Sequence, residues 1–226
     1  MNRMAVIRRR TARELSALSV FRWSGAALLA LTLAAVVLVA FRWRAQTDLV
    51  NTLIAVAGLM PPFLATLLYV GGPLTRDLVN GTVTSLMATP TSPSELTRGT
   101  ALALIQLTWL LTILIPLALA VARGDPGATS PSLAIVALAL TPALGWATAW
   151  LTVALAVTRG VETALAATWL VGLLAIFVVP GGVLLGWFDV TGWAFAAAYG
   201  VLVCLVWLWV WALDASANRA RLAWVR

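Results

Sequence analysis

Residues 77–96 read DLVNGTVTSLMATPTSPSEL, and the chain on either side is almost unbroken Ala, Leu and Val. The flanks decide the fold class. A hydrocarbon core of about 30 Å takes about 20 apolar residues in a helix, and residues 49–70 before the polar stretch and 99–122 after it are each that long. Working outward, four more such runs occupy 23–41, 133–157, 163–179 and 193–213, each bounded by charge or turn signals. Pro61-Pro62 falls near the middle of the second run, and Pro180-Gly181-Gly182 is expected to interrupt the fifth. The expectation is an all-α integral membrane protein, a single domain over 1–226 built as a bundle of six spans.

Composition agrees. Of 226 residues, 62% are hydrophobic and 10% charged, whereas soluble domains are about half apolar and a quarter charged. The lone cysteine, Cys204, permits no intrachain disulfide. There is no histidine, which excludes His/Cys metal sites and His-based acid–base catalysis, so no metal ligands are assigned. All 15 basic residues are Arg; without Lys the chain lacks the group with which a phosphate-binding P-loop reaches a nucleotide. No paired carboxylates or nucleophile–base arrangement suggests an enzyme.

Arg8, Arg9, Arg10 and Arg13 precede the apolar run of 24–41, which imitates a signal peptide. The run is longer than a usual signal core and ends in Phe41-Arg42-Trp43-Arg44 instead of a small-residue cleavage site, so it reads as an uncleaved first span. With six spans and both termini inside, only Arg42, Arg44 and Arg123 lie outside, and the other arginines share one side. The positive-inside rule then places the termini in the cytoplasm, as in a bacterial inner membrane. The net charge of +7 is thereby a topology signal. The arginines are scattered over several loops, so no nucleic acid is expected as a partner.

Every Asp, Glu and Arg lies at or beyond an expected span end, and Gln106 is the most polar side chain well inside one. Ion-coupled transporters usually place ionisable groups at membrane depth. If this chain moves a solute, the energy is expected from another subunit. Trp109, Trp146, Trp150 and Trp169 fall within spans, and Trp146 and Trp150 share a helix face. Trp109, Trp146 and Trp150, with Gln106, are candidates for lining a lipophilic path; packing against a neighbouring helix or lipid is the alternative. Trp207, Trp209 and Trp211, like Trp187 and Trp193, read as interfacial belts.

The connection over 71–98 is expected to be an element of its own. Gly71-Gly72-Pro73 should end or sharply kink the second span. From Gly81, the apolar residues Val83, Leu86 and Met87 fall at i, i+3, i+4, the spacing of a short amphipathic helix. Pro90 stops it by disfavouring helix at Thr89. Ser92 is a natural N-cap, with Pro93 at the first helical position and Glu95 three residues after the cap, so a helix restarts there and runs into the third span. By spacing alone, the short helix could equally be an interfacial cap on the bundle.

Asp77-x-x-x-Gly81-Thr82, then Leu86-Met87-Ala88-Thr89-Pro90 and Glu95-Leu96, closely resembles the signature of ABC-2 type transporter permeases, the membrane subunits of a class of ABC exporters. The resemblance extends to the six-span plan, the basic N-terminal helix and the interrupted segment before the last span. It implies a type V exporter-like fold in which 1–21 is an interfacial helix, 71–98 a cytoplasmic coupling loop and 180–192 a short re-entrant outer segment. It further implies that the chain homodimerises, or pairs with a close paralogue, and joins two copies of a separate ATP-binding subunit. Gly81, Thr82, Leu86, Met87 and Pro90 would shape the docking element, with Asp77 and Glu95 as its charged flanks. No cofactor would sit on this chain; ATP and Mg would be held by the partner, and membrane lipid would surround the spans. The chain departs from the pattern in using Asp77 where Glu is common.

A narrower resemblance is to the permease of the cytochrome c maturation haem exporter, on Thr141-Pro142-x-Leu144-Gly145, Leu151-Thr152-Val153 and Arg159-Gly160. A non-transporting membrane scaffold is the rival from another class. The substrate is expected to be amphiphilic or hydrophobic, a drug, lipid or similar.

Overall fold

The computed structural model describes residues 3–43, 46–81, 92–124, 130–174, 179–187 and 189–224. It is all-helical, with no strand among the described residues. We number the helices α1 (Arg3–Ala17), α2 (Ser19–Trp43), α3 (Thr47–Val79), α4 (Pro93–Arg123), α5 (Pro131–Arg159), α6 (Val161–Leu173), α7 (Val179–Leu184) and α8 (Trp193–Trp224). Five of them, α2, α3, α4, α5 and α8, are long and apolar enough to cross a membrane, and the chain is a multi-pass membrane protein. The fifth expected span is helical over Val161–Leu173, about 20 Å at 1.5 Å per residue. Residues 175–178 of that stretch lie outside the described residues.

Helices α4 and α5 form the centre. Helix α4 touches α1, α2, α3, α5 and α8, while α5 packs against α3, α6 and α8. The close approaches occur where glycine removes a side chain. A Cβ on Gly58 of α3 would lie 2.7 Å from the Thr112 carbonyl oxygen of α4, and one on Gly145 of α5 would lie 2.7 Å from the Pro62 ring. Phe63 of α3 fills the space beside Gly172 of α6 and meets Trp169 edge-on, ring centres 5.6 Å apart.

Most of the buried polar groups are threonines. Thr108, Thr112, Thr148, Thr152 and Thr168 return their hydroxyls to the carbonyl four residues earlier, the usual way of satisfying a hydroxyl inside a helix. Threonines also bridge helices: Thr141 of α5 donates to the Ala55 carbonyl of α3 at 2.7 Å, and Thr152 lies 2.6 Å from Thr168 of α6. In contrast α2 stands apart. In its most apolar window 6% of residues are buried, against 61% in α3.

Two expected breaks fall elsewhere. Gly71-Gly72-Pro73 does not end the second span; α3 passes through a π-helical turn at Val70–Leu74 and continues to Val79. Pro73 cannot donate to the helix ladder, and the wider turn accommodates the defect. The hydroxyl of Thr75 helps by donating to the Val70 carbonyl at 2.5 Å. Likewise Pro180-Gly181-Gly182 is itself helical, lying inside α7. The chain turns at Gly186, which has a φ of +72°. There the Trp187 N–H donates to the Gly182 carbonyl and the Gly186 N–H to the Val183 carbonyl, the paired bonds of a Schellman C-cap. A proline near a helix start is compatible with the helix, and a left-handed glycine is the stronger stop.

Candidate functional site: the base of the bundle

We call the end of the bundle at which α1 lies its base, and the opposite end the far end. The sequence of α1 brings Ile7, Arg10, Thr11, Glu14 and Leu15 to one face, at spacings of three, four, seven and eight residues. That face is the one α1 turns inward. Leu15 is fully buried, and Ile7 lies over Gly99 of α4, where a Cβ would come within 3.1 Å of the Ile7 side chain. The opposite face leaves Arg9 and Arg13 exposed. The chain breaks at Leu18, whose backbone is extended, and restarts as α2 at Ser19.

The inward charges of α1 meet the tip of α3. Arg10 donates through Nη2 to Asp77 Oδ2 at 2.7 Å and through Nε to Glu14 Oε1 at 2.8 Å. Asp77 is buried, and Arg76 is a more distant second cation at 3.9 Å. Burial is the largest influence on Arg10 and works against its charge. The Glu14 hydrogen bond and the charges of Glu14 and Asp77 outweigh it, leaving the guanidinium pKa above its ordinary value. The adjacent Thr11 lies 3.5 Å from the Tyr69 hydroxyl of α3. Asp77 therefore grips α1 from within the chain.

Gly81 closes this tip. Its φ is +71°, and its N–H donates to the Leu78 carbonyl at 3.2 Å while Asn80 N–H donates to Arg76. Nothing lies within 4 Å of where its Cβ would be, so the requirement for glycine is conformational alone. Gly81 thus stops the helix of the second span, and the short amphipathic helix expected after it lies outside the described residues. Thr82, Leu86, Met87 and Pro90 lie outside the described residues.

On the other side of that segment the expected cap is present. Ser92 Oγ accepts from the Glu95 N–H at 3.1 Å, and Glu95 Oε2 accepts from the Ser92 N–H at 2.8 Å. Pro93 takes the first helical position and α4 runs unbroken for 31 residues to Arg123. Glu95 is committed to its own helix start.

A second ionic cluster ties the start of α4 to the last span. Asp214 of α8, 3% exposed, accepts from Arg98 Nε and from the Thr97 hydroxyl, both at 3.0 Å. The Arg98 guanidinium also lies over the Trp150 ring, 5.1 Å from its centre, a cation–π arrangement. Trp150 and Trp146 of α5 both meet Trp207 of α8 edge-on, at 5.6 and 5.5 Å between ring centres. Trp207 is therefore turned into the bundle, unlike Trp209 and Trp211, which are exposed.

The candidate path residues divide accordingly. Trp146 and Trp150 come together beside α8, whereas Gln106 and Trp109 are on the exposed face of α4. Thr141 and Gly145 are engaged in packing against α3. The grips by Arg10, Glu14 and Asp214 were not anticipated. The shared face of α1 could have revealed the first two, but Asp214 has no local signal, its partners lying 116 and 117 residues away.

Compared with protein-family models, with curated proteins and with solved structures, the chain finds no match.

Proposed function

We propose that this protein is the membrane subunit of an ABC-2 type exporter, moving an amphiphilic or hydrophobic substrate with energy from a separate ATP-binding subunit. The observation that carries the reading is the segment after Asp77. Its two ends are built as fixed points: Gly81 ends one span and the Ser92–Glu95 capping box begins the next. The residues between carry the permease-like Thr82, Leu86-Met87 and Thr89-Pro90. A short element hung between two rigid anchors transmits a push to both spans. Asp77 is held by α1 and Arg98 by Asp214, so a displacement there would reach α1, α3, α4 and α8 together.

In this reading the base faces the cytoplasm, two copies of the chain associate, and the loosely packed α2 is available to a second copy or to lipid. The chain itself binds no nucleotide; ATP and Mg belong to the partner. The test is purification of the tagged chain in mild detergent after co-expression with a candidate ATP-binding subunit. A complex of two and two is expected, with ATP hydrolysis that falls at least tenfold, or about 1.4 kcal/mol of coupling, in Leu86→Asp. A chain that purifies alone from every such co-expression sinks the reading and leaves a membrane scaffold in its place.

A further inference from the structure

At the far end, a cavity of about 630 Å³ opens between the start of α8, Leu174 after α6, and Trp187, Asp189 and Gly192. Small-molecule sites are typically about 300–1,000 Å³. Its walls include Trp187, Trp193, Phe195, Tyr199 and Leu202, and Asp189 stands among them as the one charged group among the described residues. From Trp193 to Leu202 is nine residues of helix, about 14 Å, so the cavity runs from the interface into the apolar layer. We propose that it is a binding site for a lipophilic monocation, an ammonium or phosphonium carried on a hydrophobic body.

Asp189 supplies the charge. Its Oδ1 accepts from both the N–H and the hydroxyl of Thr191, at 2.9 and 2.6 Å. Oδ2 accepts no hydrogen bond, and no arginine pairs with it among the described residues. Those bonds from Thr191 hold the carboxyl below its ordinary pKa, so it is ionised throughout the neutral range. The mount is rigid: the Thr191 carbonyl accepts from Ser130 Oγ at 3.1 Å and from Ser132 Oγ, both at the start of α5. Asp189 is thereby fixed to a second span and not merely to its own turn.

The rings select the rest of the ligand. Phe195 and Tyr199 lie 5.8 Å apart, tilted by 31°, and both are buried, while Trp187 and Trp193 stand exposed at the rim. Aromatic faces attract cations, most strongly where water is excluded. One carboxylate matches one positive charge, an anion would be repelled, and a neutral amphiphile would leave Asp189 unpaired. A small polar cation would not fill the apolar depth. A free amphiphilic cation and the ammonium head of a zwitterionic lipid present the same chemistry. Occupancy requires neither ATP nor a second subunit, so this site stands or falls independently of the export reading.

The test is equilibrium dialysis of radiolabelled tetraphenylphosphonium against the purified full chain in an uncharged maltoside detergent. One saturable site per chain is expected. Asp189→Asn should weaken it at least tenfold and Trp193→Ala about threefold, while Asp48→Asn, at another exposed far-end carboxylate, changes nothing. Binding should be constant from about pH 5 to 8 and fall only below the usual aspartate range. Competition by phosphatidylethanolamine identifies a lipid head as the natural occupant; competition by a free alkylammonium alone identifies a soluble amphiphile. Absence of saturable binding, or wild-type affinity in both cavity variants with unchanged melting, overturns the proposal.

Discussion

The two ends of this bundle treat charge in opposite ways. At the base, Asp77 and Asp214 are buried and matched, to Arg10 and Arg98 respectively, and Glu14 shares Arg10. At the far end Asp189 is exposed, fastened by uncharged hydroxyl and amide groups, and faces aromatic rings instead of a cation. Paired charges tie helices together; an unpaired, pre-positioned charge awaits something else. The difference separates an end that is tied together by ion pairs from an end that presents a surface.

Removing Asp214 should test this contrast most severely. Asp214→Leu leaves Arg98 without its carboxylate and Thr97 with the Ser94 carbonyl alone, at a cost of about 3 kcal/mol, the low end for a broken buried pair because Arg98 is half exposed. Heat-induced loss of monodisperse protein should move several degrees lower, whereas Asp189→Asn at the far end should leave it in place. Equal shifts in both variants would erase the distinction.

The next effect concerns the centre between the two ends. Gly58→Val drives a side chain into the Thr112 backbone, which cannot swing aside, and overpacking of this kind costs about 2 kcal/mol. Gly25→Val on α2, where nothing lies within 4 Å, should melt like the parent. Smaller still is the α1 clasp. A double-mutant cycle of Arg10→Ala and Asp77→Ala should give a coupling of about 1 kcal/mol, since the pair is part-exposed; zero coupling would mean that α1 is held by its apolar face alone. Smallest is Gly81→Ala, about 1 kcal/mol or less for a left-handed backbone without a steric clash. Protease cleavage after the tip of α3 should then quicken while global melting holds.

Much of this plan is legible in the residues because it is local. Apolar run length marks the spans, and Ser92, Pro93 and Glu95 announce the start of α4 within four positions. What could not be read depends on distance or on competition between local signals. The Arg98–Asp214 contact joins positions 116 apart. Pro180-Gly181-Gly182 carries breaker residues, yet a proline in a first turn suits a helix, and the stop fell to Gly186 with its left-handed cap. Trp207 resembles its neighbours Trp209 and Trp211 in sequence; only the arrival of α5 on one side of α8 distinguishes it. The five-residue match from Leu86 to Pro90 stays a matter of sequence, since those positions lie outside the described residues.

The π-helical turn at Val70–Leu74 has a consequence for angular phase. Tyr69 and Asp77 both address α1, yet they are eight residues apart, and at about 100° per residue an uninterrupted α-helix would set them about 80° out of line. The wide turn takes up one extra residue, so the tip behaves as though the interval were seven, and the misalignment falls to about 20°. Gly71-Gly72-Pro73 therefore acts as a vernier: it lets the span carry one residue too many and still point two distant side chains at one partner. Shortening the chain by one residue within this turn should preserve that aim, while inserting one residue there should put the two side chains about 80° out of line again.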